Sequence, residues 1–135
     1  MHLTTVEAKA FVPATDFERS KQFYLMLGFE IPWTDDSLAY VRQGACSFLL
    51  QASGEPEFST HFQMHLLVEK VDDWHAQVMA SDLAKRFQTP VGDLTDQPWG
   101  MREFTLVDPS GVLWRIAQNT SPPRHRVGSG RAKSA

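Results

Sequence analysis

The order of predicted elements runs twice through this chain: strand, helix and three strands in each half. That repetition restricts the fold more than any single motif. In the first half a strand is predicted from Glu7 to Pro13. Thr15 or Asp16 then caps a helix with Glu18 in its first turn. Phe17, Phe23, Tyr24 and Leu27 recur near helical spacing, while Glu18, Arg19, Lys21 and Gln22 take the other face. Gly28 is the expected C-terminal stop. Strands are predicted over Phe29–Thr34, Leu38–Arg42 and Ala45–Ala52, and Ser53 to Glu57 reads as a loop.

The second half starts with a strand from Phe62 to Glu69 and a helix from Val71 to Leu83. A short strand over Arg86–Pro90 and a loop over Gly92–Gln97 are predicted next. Arg102–Leu106 and Val112–Ala117 form a hairpin around Asp108-Pro109-Ser110-Gly111, which fits a type I turn. A four-stranded sheet with one helix cannot bury both its faces, so the two modules are expected to pair. The expected class is α+β, with residues 1–53 as the first βαβββ module and 61–118 as the second. Residues 54–60 are the expected linker and 119–135 a flexible basic tail.

The Phe62–Glu69 strand indicates where a ligand would go. Phe62, Met64, Leu66 and Val68 share one parity and are apolar; Gln63, His65, Leu67 and Glu69 share the other and are mostly polar. One face therefore packs on helices while the other is wettable and suits a ligand. Trp99, between Pro98 and Gly100, stands at a hairpin mouth, and Trp33 at a strand end. With Tyr40 they offer flat aromatic surfaces that stack on planar groups and attract cations. Trp74 and Trp114 have core-facing positions. Cys46, the single cysteine, lies in the apolar run Ala45–Leu50 and reads as a buried small hydrophobe. It excludes an internal disulfide and fits a reducing, cytoplasmic setting.

Charge is divided unevenly. Residues 1–118 hold all 16 Asp and Glu but only 9 of the 13 Lys and Arg, giving 9 − 16 = −7. Arg124, Arg126, Arg131 and Lys133 give the remainder +4. An acidic body favours a cationic small molecule over nucleic acid. No apolar run approaches the ~20 residues of a membrane span. Neither a nucleophile with an adjacent base nor a phosphate-cradling glycine loop is evident.

Thr15-Asp16, Ser20, Phe23-Tyr24 and Leu27-Gly28-Phe29, then His65-Leu66 and Val71-Asp72-Asp73, then Arg102-Glu103-Phe104 and Asp108-Pro109-Ser110-Gly111, occur in an order that resembles a known family. It is the glyoxalase, bleomycin-resistance and extradiol-dioxygenase (vicinal oxygen chelate) superfamily. Gln97-Pro98-Trp99-Gly100 ahead of Arg102-Glu103-Phe104 is similar to its bleomycin-resistance branch. The resemblance implies helices on the convex side of curved mixed sheets. It also implies a bacterial homodimer that sequesters a cationic glycopeptide antibiotic in clefts at the subunit interface, without catalysis.

Metal-using members of that superfamily place His or Glu at four inward positions. By resemblance these fall on Lys9 or Glu7, on Leu49 or Gln51, on His65 and on Arg115. Only His65 matches firmly: Glu7 is the less favoured choice at the first position, and Lys9 and Arg115 are protonated and repel a divalent ion. His61 and His75 fall on a loop and a helix, and His2 and His125 near the termini. No catalytic residue, metal or cofactor is therefore expected. The expected ligand contacts are Trp33, Tyr40, Gln63, His65, Trp99, Gly100, Glu103 and Arg115. Two alternatives are a metal-dependent lyase, isomerase or dioxygenase of the same superfamily, and a regulatory module that contacts a partner through the basic tail. The inward cations Lys9 and Arg115 stand against a cationic ligand unless nearby carboxylates, Glu7, Glu69 or Glu103, pair with them.

Overall fold

A computed structural model describes residues 1–120; from Ser121 on, the basic tail lies outside the described residues. The chain divides into two compact units. Unit 1 is Met1–Phe62 together with Asp108–Val112, and unit 2 is Gln63–Val107 together with the chain from Leu113. The expected α+β class is observed.

Unit 1 contains β1 (Phe11–Ala14), α1 (Phe17–Leu27), β2 (Glu30–Thr34), β3 (Leu38–Gln43), β4 (Cys46–Ala52) and a short α2 (Pro56–Thr60). Its strand order is β1-β4-β3-β2, with β1 parallel to β4 and the other pairs antiparallel. Helix α1 starts and stops where its caps predict. The Asp16 carboxylate accepts the Arg19 amide at 3.2 Å, and Gly28 adopts φ 118°, which favours a residue without Cβ. The face carrying Phe17, Ser20, Phe23, Tyr24 and Leu27 is buried. Val12, Ala14, Ala39, Val41, Phe48 and Leu50 are buried with it, and the Tyr24 ring meets Phe48 edge-on at 5.1 Å.

Tyr24 also needs a partner for its hydroxyl. It donates to Asp108 Oδ2 at 2.6 Å, while Asp108 Oδ1 accepts the amides of Ser110 and Val112 at 2.8 and 2.9 Å. The predicted turn is therefore present, closed by the Gly111 amide on the Asp108 carbonyl at 3.0 Å. Burial pushes the Asp108 carboxyl above the usual range, and the bonds from Tyr24 and the turn amides oppose this.

Unit 2 contains β5 (Gln63–Leu67), α3 (Val71–Ala80), α4 (Leu83–Phe87), β6 (Thr95–Gln97), β7 (Met101–Val107) and β8 (Leu113–Asn119). Its order, β5-β8-β7-β6, repeats that of unit 1. The register aligns Met64, Trp114 and Leu106 in one row and Leu66, Ile116 and Phe104 in the next. Apart from half-buried Met64, this helix-side face is buried, as are Val71, Val78, Leu83 and Phe87 from the helices.

Several expectations change. The first strand starts at Phe11, so Glu7 and Lys9 lie in an exposed segment ahead of it. Pro56–Thr60 is helical rather than loop, with proline at a helix start, where its missing N–H costs nothing. The predicted Val71–Leu83 helix ends at Ala80, because Ser81 is extended. No strand forms over Arg86–Pro90: Arg86 and Phe87 are the end of α4, which buries Leu83 and Phe87 one turn apart, and the chain leaves it through Gln88 at φ 52°. Thr95–Gln97, predicted as loop, is an edge strand. Cys46 is exposed, not buried, because it sits at the end of β4 beside the Gly44 turn. Trp114 is buried as predicted, whereas Trp74 is only partly covered.

Candidate functional site

The face of unit 2 away from its helices carries Gln63, His65 and Leu67 on β5. It also carries Leu113, Arg115 and Ala117 on β8, and Glu103 and Thr105 on β7. The parity predicted for β5 is the observed one. A polar chain crosses this face from β5 through β8 and β7 to β6. Arg115 Nε donates to Gln63 Oε1 at 3.3 Å, and Arg115 Nη1 donates to Glu103 Oε2 at 3.0 Å. Gln97 Nε2 donates to the same Glu103 oxygen at 3.4 Å. The Glu103 side chain is 5% exposed and the Arg115 side chain 40%. A buried carboxylate thus anchors a half-exposed guanidinium, whose charge offsets the cost of burying Glu103. His65 lies directly across from Arg115 in the parallel register and is exposed.

Trp99 and Gly100 belong to the turn between β6 and β7. Gly100 has φ 83°, a conformation that favours glycine. Its amide donates to the Gln97 carbonyl at 3.2 Å, and its own carbonyl accepts the Thr120 amide at 2.9 Å. The turn is held at both ends while the Trp99 side chain stands 55% exposed.

In unit 1 the corresponding face pairs Trp33 directly with Tyr40, and Tyr40 with Leu49. Trp33 is 50% exposed and Phe11, beside Leu49 on β1, 54%. Glu7 reaches this face from the segment ahead of β1. It accepts from Lys9 at 2.7 Å, from the Ser47 hydroxyl and from Tyr40. The Lys9 ammonium also stands 5.4 Å from the Tyr40 ring centre. Lys9 and Ser47 hold the exposed Glu7 carboxyl below its ordinary range.

Each inward cation named from the sequence therefore has a carboxylate: Arg115 has Glu103 and Lys9 has Glu7. The predicted contacts divide between the units: Trp33 and Tyr40 lie on the face of unit 1, Gln63, His65, Glu103 and Arg115 on the face of unit 2, and Trp99 and Gly100 in the turn between β6 and β7. Sequence reasoning missed Gln97 as a member of the polar chain, because its strand lacks an apolar alternation. It also missed Phe11, whose exposure follows from the parity of buried Val12 and Ala14. Among the described residues no three of His, Cys, Asp or Glu come together. His65 has a guanidinium as its neighbour, so the donor set does not fit a divalent ion.

The family model of the glyoxalase/bleomycin resistance protein/dioxygenase superfamily matches residues 2–116. A bleomycin-binding protein solved in complex with bleomycin superposes with a TM-score of 0.71 at 25% identity, covering 85% of this chain and 99% of that one. A bleomycin resistance determinant encoded on the transposon Tn5 gives 0.70 at 24% identity, covering 87% and 100%. The bleomycin-binding protein of bleomycin-producing Streptomyces verticillus, complexed with copper(II)-bleomycin, gives 0.72 at 21% identity, covering 90% and 100%. At such identities the last two show a shared fold. Comparison with curated proteins finds no match.

Proposed function

This chain belongs to the glyoxalase/bleomycin resistance protein/dioxygenase superfamily, and from that premise we propose that it binds and sequesters a cationic, bleomycin-type small molecule without metal catalysis. The observation that carries this reading is the Arg115–Glu103 pair. It supports the reading because Arg115, which by the resemblance stands at a position where metal-using relatives carry a metal ligand, is here a paired guanidinium. The inward cations then cease to oppose a cationic ligand, and the acid excess of residues 1–118 favours one.

The proposed contacts are Trp33 and Tyr40 in unit 1 and Gln63, His65, Trp99, Gly100 and Arg115 in unit 2. Glu103 acts through Arg115 as a positioning residue. Exposed Trp33 and Trp99 would stack on planar or cationic groups, while Gln63, His65 and Arg115 supply hydrogen bonds. Such a protein protects by mass action, holding its ligand without changing it. The proposed assembly is a homodimer, which sedimentation at micromolar concentration would show as twice the mass of one chain.

Calorimetric and fluorescence titration with bleomycin tests the reading. The expected result is saturable binding, no chemical change in the recovered drug, and tryptophan quenching that shrinks in W99F. Absence of both heat and quenching overturns it.

A further inference from the structure

We infer that the Arg115 guanidinium, with Gln63 and His65, forms a subsite for an oxyanion carried by the ligand: a carboxylate, sulfate or phosphate group. The inference rests on unit 2's face away from its helices being a ligand face, and it adds the chemistry of one ligand group.

Arg115 is held from two sides. Gln63 on β5 takes the Nε proton at 3.3 Å, and Glu103 on β7 takes one from Nη1 at 3.0 Å. Both partners sit on strands that flank β8. The guanidinium plane is thereby fixed while the side chain keeps 40% of its surface exposed. Nη2 has no partner among the described residues. Gln63 uses its carbonyl oxygen on Arg115, which turns its amide nitrogen into a spare donor. His65, two residues along the same strand and opposite Arg115, is exposed and has no hydrogen bond among the described residues. Three side chains on one face thus offer N–H groups with no acceptor among the described residues.

This composition discriminates between ligand groups. Guanidinium forks match planar and tetrahedral oxyanions, and bonds to charged acceptors are about twice as strong as neutral ones. Glu103 cancels the charge of Arg115 at long range but is 5% exposed, so it presents little acceptor surface to a ligand. An ammonium group would meet donors only. A ligand that is cationic overall would therefore place its cationic or planar part elsewhere and its oxyanion here.

Side-chain NMR of the full chain tests this, with sodium sulfate replacing sodium chloride at constant ionic strength. The expected result is a saturable shift of the Gln63, His65 and Arg115 resonances. Arg102 and His75, on the helix side of the sheet, should not respond. Sulfate binding should weaken about tenfold in R115Q, which loses the charged fork. Because R115Q leaves Glu103 buried without its cation, the charge-neutral pair E103Q/R115Q is measured beside it and should show the same loss. Phosphate and acetate distinguish a tetrahedral from a carboxylate preference. No saturable shift with any of the three anions overturns the subsite, and so does undiminished binding in both variants. If sulfate binds and bleomycin does not, the subsite stands and the drug reading falls; the reverse result removes the subsite alone.

Discussion

At the scale of single residues, two buried carboxylates carry opposite lessons. Glu103 is buried beside a cation, whereas Asp108 is satisfied by a phenol and two backbone amides. Removing the phenol in Y24F leaves Asp108 Oδ2 short of a donor, and should cost about 1–3 kcal/mol in urea unfolding. Asp108 also makes a pH prediction with an unusual sign. Its folded carboxyl is held above the ordinary value by burial, so the native state retains this proton at a pH where the unfolded chain has lost it. Protonation therefore favours folding, and that contribution fades as pH rises through the raised value. D108N has no such proton to exchange. The melting temperature of the parent minus that of D108N should accordingly increase as pH falls from about 7 to about 4. A flat or decreasing difference would remove burial as the dominant influence on Asp108.

Secondary-structure elements are legible in the sequence where end signals and side-chain period agree. Helix α1 has a capping aspartate, a C-terminal glycine and an apolar stripe, and all three point to the observed span. Strand β5 alternates cleanly, so the residue pattern alone assigns its two faces. The misses fall where the period is too short to register. Helix α4 buries only Leu83 and Phe87, too few to show a helical period, so the sequence reading ends one helix at Leu83 and starts a strand at Arg86. Strand β6, Thr-Asp-Gln, is an edge strand exposed on most of its surface and has no apolar face to reveal it. Missing β6 hid Gln97, and so the last link of the polar chain across unit 2. The paired cations are invisible for another reason: sequence order does not show which carboxylate reaches Arg115.

Gly92 gives an element-scale test of how β7 is bordered. Its amide donates to the Thr105 carbonyl at 2.8 Å, and a Cβ there would stand 2.6 Å from Thr105 Oγ1. G92A should destabilise by about 1–3 kcal/mol through overpacking. Thr105 supplies the nearest obstruction, so G92A/T105A should recover most of that loss, giving a coupling energy of opposite sign in a double-mutant cycle. If the two substitutions simply add, the close approach is not the reason for glycine at this position.

At the scale of the whole molecule, charge and ligand chemistry meet. The described chain through Thr120 carries 9 − 16 = −7, and residues 121–135 add +4 to give −3. A cationic ligand approaching the protein responds to that sum at low ionic strength. Above about 0.15 M salt it responds chiefly to charges within ~8 Å. Removing residues 121–135 should therefore speed association with bleomycin several-fold in dilute buffer, and the rates of the two proteins should converge as salt is raised. The dissociation rate should stay the same, because the proposed contacts all lie before residue 121. Stopped-flow tryptophan fluorescence at several salt concentrations separates these rates. Faster dissociation of the truncated chain would make the tail part of the binding surface, and slower association would show that its cations assist capture rather than oppose it. Either result would move the ligand's recognised charge away from the acidic body and towards the basic end of the chain.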